Sequence, residues 1–375
     1  MMEASSVGTA PMTVPIFDYL RRYRFKKVVL CNDTDIGLRA VIAIHSTALG
    51  PAAGGLRMWT YSSEEEAIMD ALRLGRGMTY KYAAAGVNLG GGKAVIIGDP
   101  KKDKSEALLR AMGRMIDQLG GEYITGEDVG TTLEDMETIY SETDHVVTLP
   151  EHAGGAGDIS PATALGSIQA MRACAKRVWG TPELEGKSVA LQGLGMVGGK
   201  ALPMLVKAGA EVVVSDIDEE KVEKAVKEFG VKVVDPEEIY SQEVDIFAPY
   251  ALGAVINDDT IPQLKAKVVA GAANNILAEE RHGEELERRD IVYAVDFVAN
   301  SGGTIFDTDR YRKGGFQPER AMTNVRRIFE RIEEIFDISE RDGVAYYRAA
   351  ERLAEERIEA MNKVRLLGQP DTAHY

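Results

Sequence analysis

Apolar positions along the chain alternate between two spacings. Between Lys26 and His45 two short apolar runs, Val28 to Cys31 and Ala40 to His45, flank the polar turn Asn32 to Gly37, a pattern that predicts two strands. Ser62 and Ser63 then precede Glu65 and Glu66 at capping-box spacing. Ala67, Leu72, Leu74 and Met78 follow at helical intervals, so a helix is expected to end near Lys81. The run Gly90-Gly91-Gly92-Lys93 leads into an expected strand Ala94 to Ile97, then a helix from about Lys104 to Leu119 and a short strand Tyr123 to Thr125.

In the second half, Pro161 suits the first turn of a helix that runs to about Trp179, and Gly180 to Gly186 reads as a loop. Six short apolar runs follow: Val189 to Gln192, Glu211 to Ser215, Val231 to Val234, Asp245 to Ala248, Val268 to Gly271 and Ile291 to Ala294. Helical patterns separate the earlier ones, which predicts a doubly wound parallel sheet. From Pro318 to about Arg365 the pattern predicts two charged amphipathic helices parted by Gly343. The fold class is therefore α/β, and 375 residues make two domains the natural arrangement.

A net charge of -15 spread over helical segments leaves no basic stripe, which argues against nucleic acid as a partner. Cys31 and Cys174 stand alone, in neither disulfide nor metal-ligand spacing, and are expected to be buried apolar residues in a reducing cytoplasm. His45 and His152 also lack a metal-binding pattern; His45 is expected to pack at a strand end. No stretch approaches the ~20 apolar residues needed to span a bilayer, and the N-terminus has no apolar leader, so its first dozen residues are expected to be loose.

The first chemical signal is Gly193-Leu194-Gly195-Met196-Val197-Gly198, placed after an expected strand and opening a helix. A dinucleotide pyrophosphate needs a tight turn at the first glycine, an unobstructed approach at the second and close packing at the third, with helix N-terminal amides facing the phosphates. Asp216 ends the next strand, where a carboxylate binds ribose hydroxyls and repels a 2'-phosphate, which favours NAD over NADP. A second signal is Lys93 after its three glycines. A poorly solvated lysine near another cation, here Lys81, has a lowered pKa and can act as general base and acid. Asp128 lies in the glycine-bounded loop Gly126 to Gly130 just after a strand end, a common setting for active-site groups.

Together these segments resemble the family of glutamate, leucine, phenylalanine and valine dehydrogenases, and within it the leucine dehydrogenases most. The resemblance spans nearly the whole chain through GPAAGGLRMW (Gly50 to Trp59), RGMTYKYAAAGVNLGGGKAVIIGDP (Arg76 to Pro100), TGEDVGTT (Thr125 to Thr132), QGLGMVGG (Gln192 to Gly199), AGAANN (Ala270 to Asn275) and RLAEERIE (Arg352 to Glu359). It implies that Lys81 binds the substrate carboxylate, Lys93 activates the water that attacks an imino intermediate, and Asp128 assists proton transfer and holds the amino group. It further implies that Thr163 and Asn274 meet the nicotinamide end of NAD and that Ala251 and Leu252 lie against the adenosine. The implied architecture is an N-terminal α/β domain over residues 1–150 for substrate and oligomerisation, and a Rossmann domain over 151–344. A final helix from about 345 to 375 packs back on the first domain, and the cleft acts as a hinge. Homo-oligomers from dimer to octamer are implied as well.

The implied reaction is reversible deamination of an apolar L-amino acid, leucine or another branched-chain one, to its 2-oxo acid and ammonia. Ala53, Gly54 and Met78 suit an apolar side-chain pocket, and no extra cation is present for glutamate. Two positions depart from leucine dehydrogenases. Gly126 stands where they often have alanine, which would enlarge the pocket towards phenylalanine; Thr304 and Asp307 stand where they usually have valines. Asp307 is expected to point outward or to pair with Arg310 or Arg312, because an unpaired buried carboxylate is costly; otherwise it marks an altered specificity. A non-catalytic NAD-binding regulator is disfavoured by the presence of Lys81, Lys93 and Asp128 together. A hydroxy-acid dehydrogenase would need a histidine-carboxylate pair that none of the five histidines offers.

Overall fold

The computed structural model describes residues 15–368, so the expectation of a loose N-terminus, and residues 369–375 of the expected final helix, lie outside the described residues. The first sheet contains β1 (Lys27–Asp33), β2 (Leu38–Ser46), β3 (Ala52–Trp59), β4 (Gly90–Ile97) and β5 (Tyr123–Glu127) in the order β1-β2-β4-β3-β5. β1 and β4 each pair antiparallel with β2, whereas β3 runs parallel to both β4 and β5. The sequence pattern does not predict β3. Its residues AAGGLRMW include no β-branched side chain, and the segment is a strand because it is sandwiched between two others and buried on both faces.

Helix Glu64–Ala84 covers one face of this sheet. The Ser63 hydroxyl accepts from Glu66 N at 3.2 Å, and the Glu66 carboxylate accepts from Ser62 N at 2.7 Å, so the expected cap forms. β4 begins at Gly90 rather than Ala94, which places Lys93 inside a strand instead of ahead of one. The glycines serve packing: a Cβ on Gly91 would lie 2.1 Å from Thr79 N of the covering helix, and one on Gly90 would lie 1.9 Å from Ser46 O of β2.

The second sheet holds β6 (Ser188–Gln192), β7 (Glu211–Ser215), β8 (Lys232–Val233), β9 (Ile246–Pro249), β10 (Val268–Val269) and β11 (Val292–Tyr293), all parallel, in the order β11-β10-β9-β6-β7-β8. All six expected runs are strands. The chain winds outward from β6 to β8, then returns to the other side of β6 for β9, so the winding reverses between β6 and β9. Ligands of open α/β sheets bind at such a reversal.

After Pro318 there are three helices rather than two, Pro318–Arg326, Ile328–Asp342 and Tyr346–Gly368; the first two are separated by a break at Arg327, and Gly343 ends the second with φ +63°. The last helix returns to the first domain and packs on helix Glu64–Ala84, where the Arg357 guanidinium donates to the carbonyls of Ala83 (3.0 Å) and Val87 (2.8 Å). Among the described residues no helix is long and apolar enough to cross a membrane.

Candidate active site

Successive residues of a strand face opposite ways, and Arg57 of β3 is in register with Val95 of β4, so Arg57 and Lys93 lie on one face of the sheet, the face that helix Glu64–Ala84 covers. Asp128 immediately follows β5 and reaches both. Its Oδ2 accepts from Lys93 Nζ at 2.9 Å and from Arg57 Nε at 2.8 Å. The other arm of Arg57 pairs with Asp70 at 2.9 Å, which also accepts from Tyr61 at 2.8 Å and from Arg73 at 3.0 Å. Lys93 is only 5% exposed. Burial lowers its pKa, and the attraction of Asp128 offsets part of that fall. Burial pushes the Asp128 carboxyl up, but Lys93 and Arg57 together hold it below the ordinary value. Arg57 has no local signal in the sequence, because nothing distinguishes an arginine in a strand that exists only through its two neighbours.

Lys81 lies in the last turn of its helix, and its ammonium has no ion pair or hydrogen bond among the described residues. Burial lowers it to about 8, with Asp296 opposing and Lys93 adding to the fall. Asp296, too, has no local signal in the sequence. It comes from the far half of the chain, where its carboxylate accepts from Ile276 N (2.9 Å) and Phe297 N (2.6 Å).

Met78 and Tyr82 sit three residues before and one after Lys81 on the same helix. They join Ala53, Leu89, Ile124, Val147, Val87 and Tyr311 in one apolar cluster. Gly54 is backed against β4, since a Cβ there would lie 1.8 Å from Gly92 O. Two expectations need correcting here. Gly126 does not enlarge the pocket: the volume its Cβ would fill holds Thr148 Oγ1, at 2.5 Å, and Val147 Cγ2, at 3.0 Å. Asp307 neither points outward nor pairs with an arginine. It is 5% exposed; Thr148 Oγ1 donates to its Oδ2 at 2.9 Å, and its Oδ1 is buried without a partner. Arg310 donates instead to Val146 O, and Arg312 lies nearest Asp309. Burial raises Asp307 to about 7. Thr304, partly exposed, stands three residues earlier on helix Gly302–Asp307 and so faces the same side.

At the reversal between β6 and β9 the glycines fit a dinucleotide. Gly193 adopts φ +99°, and a Cβ there would meet Ala251 Cβ at 2.8 Å; a Cβ on Gly198 would lie 2.0 Å from Gly193 O; Gly195 faces open space, as a pyrophosphate requires. Val197 caps the helix that Gly198 opens. Asp216 follows β7, and its carboxylate accepts from Leu194 N and Asp218 N, which fixes it beside the glycine loop. Met196, Leu252 and Ile217 are 72%, 71% and 90% exposed, so three large apolar side chains lie bare at adjacent strand ends, as a flat adenine would need. Of these, Ile217 was not foreseen. Thr163 lies in the first turn of helix Ser160–Trp179, against Gly303, and Asn274 Oδ1 accepts from Asn300 Nδ2 at 2.8 Å.

Asp258, Glu279 and His282 converge closely enough for a metal, but Arg281 forms ion pairs with both carboxylates, at 2.5 and 3.0 Å. His45 packs at the end of β2, between Thr79 Oγ1 (2.8 Å) and Tyr23 O (2.9 Å).

Residues 25–145 match the family model for the Glu/Leu/Phe/Val dehydrogenase dimerisation domain, and residues 216–365 match that for Glutamate/Leucine/Phenylalanine/Valine dehydrogenase. A leucine dehydrogenase of Thermoactinomyces intermedius is 56% identical over 350 residues, 93% of this chain and 95% of its own. A phenylalanine dehydrogenase of Caldalkalibacillus thermarum is 45% identical over 365 residues, 96% of this chain and 98% of its own. The crystal structure of L-tryptophan dehydrogenase from Nostoc punctiforme superposes with a TM-score of 0.84 at 42% identity, covering 92% of this chain and 99% of that one. By sequence and by fold the chain belongs to the glutamate/leucine/phenylalanine/valine dehydrogenase family and is an amino-acid dehydrogenase.

Proposed function

We propose that the chain oxidatively deaminates L-leucine and related branched-chain amino acids with NAD, reversibly, to the 2-oxo acid and ammonia. The observation that carries this reading is the ion pair of buried Lys93 with partly buried Asp128, set beside a Lys81 whose ammonium is unpartnered and an apolar cluster that includes Ala53 and Met78. Lys81 binds the substrate carboxylate, and the cluster takes the aliphatic side chain, with Gly54, Thr304 and Asp307 as further walls and Gly126 behind Thr148 and Val147. Asp128 holds the amino group. NAD, held by the nucleotide domain, would supply the hydride acceptor for the α carbon. Lys93, depressed by burial, takes a proton from the water that attacks the resulting imine and returns one to the departing ammonia.

The glycine loop Gly193 to Gly198, including Met196 and Val197, holds the pyrophosphate, and Asp216 the adenosine ribose, which selects NAD over NADP. Ala251 and Leu252 flank the adenosine, and Thr163 and Asn274 the nicotinamide. Residues 1–150 with the final helix form the substrate and oligomerisation domain, residues 151–344 the nucleotide domain, and closure about the cleft excludes water. A match to a dimerisation-domain model supports a homo-oligomer, and two free buried cysteines suit the cytoplasm. The space that would have favoured phenylalanine at Gly126 is filled by Thr148 and Val147.

The test is NADH formation at 340 nm with L-leucine, L-valine, L-isoleucine, L-phenylalanine, L-tryptophan and L-glutamate at alkaline pH. An aliphatic preference supports the proposal. An aromatic preference keeps the mechanism and moves the substrate, and silence with every amino acid despite NADH binding ends the enzymatic reading.

A further inference from the structure

Arg57 stands between two carboxylates that come from different elements. Its Nε donates to Asp128 Oδ2 at 2.8 Å, on the loop after β5, and its Nη1 to Asp70 Oδ2 at 2.9 Å, on helix Glu64–Ala84. Asp70 is itself held, since it accepts from Tyr61 Oη at 2.8 Å and from Arg73 at 3.0 Å. Burial pushes the Asp70 carboxyl up, but Tyr61, Arg73 and Arg57 hold it below the ordinary value, so it remains a charged anchor. A planar guanidinium fixed at two points has little freedom left to move.

The bond from Arg57 to Asp128 is not what ties this loop to the sheet. Other contacts on either side of Arg57 do that: Met58 N donates to Val129 O at 2.9 Å, and Thr131 Oγ1 donates to Leu56 O at 2.9 Å and accepts from Asp128 N at 3.0 Å. What the guanidinium fixes is the carboxylate. It shares Oδ2 with Lys93 Nζ, at 2.9 Å, and Oδ1 has no hydrogen bond among the described residues. The charged groups facing Lys93 are Asp128, Arg57 of β3, and Asp70 and Lys81 of the covering helix, while Glu127 and Tyr123 face Asp128 from β5. Without Arg57 the whole charge of Asp128 would fall on Lys93 and hold its proton in place.

We infer that Arg57 is a positioning residue of the proposed deamination: anchored by Asp70, it fixes the Asp128 carboxylate through Oδ2, leaving Oδ1 to the substrate amino group, and takes up part of the negative charge that would otherwise fall on Lys93. The inference rests on the proposed deamination and adds to it a residue that touches no reacting atom.

The test is the pH dependence of kcat for oxidation of L-leucine by NAD in the wild type, Arg57→Gln and Arg57→Lys, with NADH fluorescence titration and thermal melts alongside. kcat reports the complex with bound substrate, where the rate rises as Lys93 loses its proton, whereas titration of free Lys81 shows in KM. In Arg57→Gln the plateau of kcat is expected to fall by about 10- to 100-fold, from lost orientation, and the rising limb to move to higher pH by about one unit, with NADH binding unchanged. Arg57→Lys restores a cation without the two-point anchor, so its limb returns towards the wild-type position while its plateau stays below the wild-type one. A limb that does not move in Arg57→Gln overturns the inference, whatever happens to the plateau, and leaves Arg57 a packing role alone. If Arg57→Gln does not fold, Asp70→Asn, which releases the far end of Arg57, takes its place: a lower plateau at unchanged NADH affinity supports the inference, and a wild-type plateau overturns it. Silence of the wild type with every amino acid, leucine included, overturns the proposed deamination and the inference with it.

Discussion

Replacing Asp307 by asparagine removes one titration from a buried site and leaves the shape nearly intact, so its effect on stability should depend on pH in a calculable way. In the folded chain burial holds the carboxyl at about 7, against 3.8 for an unperturbed aspartate. Above pH 4 the unfolded chain releases this proton while the folded chain keeps it, so stability falls as pH rises and levels off once pH passes 7. For this one group the cost is about 3 kcal/mol at pH 6 and about 4 kcal/mol at pH 9, from roughly 1.4 kcal/mol for each tenfold change. Asparagine pays none of this, and every other group titrates alike in both proteins. The difference in stability should therefore widen in favour of Asp307→Asn by about 1 kcal/mol between pH 6 and pH 9, or about 2–4 °C in Tm for a domain of this size. Thermal melts of both proteins by circular dichroism at pH 6, 7, 8 and 9 measure it, all above the pI of about 5.0. A gap that stays constant, or narrows with pH, would refute the reasoning, because it would mean the carboxyl is solvated and ionised in the folded chain.

Lys93→Ala should lower kcat by about 10²- to 10⁴-fold, as expected for loss of a general base, while NADH fluorescence titration shows unchanged binding. Lys81→Met should raise KM for the amino acid by about 10- to 150-fold with a smaller change in kcat, since a charge-assisted hydrogen bond contributes about 1.5–3 kcal/mol. In the wild type the same lysine loses its proton as pH passes about 8, so KM for the amino acid should climb above that pH in initial-rate assays. Gly126→Ala should cost about 1–3 kcal/mol in urea denaturation, because its methyl would lie 2.5 Å from Thr148 Oγ1, and adding Thr148→Ala should recover most of the loss.

The nucleotide half of this protein is legible in its sequence. Six apolar runs separated by helical patterns specify a parallel sheet, because such strands are buried on both faces and must be apolar throughout. The glycine spacing after the first of them marks the phosphate loop for reasons of local geometry. The positions of Lys81, Lys93 and Asp128 were also found, through their resemblance to a family and through unusual local settings. What escaped is whatever depends on partners distant in sequence. β3 is a strand only because two others flank it, Arg57 matters only because Asp128 lies across from it, and Asp296 acts electrostatically on Lys81 from more than two hundred residues away in sequence. The sequence showed Gly126 and Asp307 as two separate oddities, one of which suggested extra room. Only the tertiary structure joined them, because whether a missing methyl leaves a void, and whether a carboxylate finds a partner, depend on which side chain arrives from another part of the chain. Here that side chain is Thr148, which fills the space and leaves one carboxylate oxygen buried without a partner.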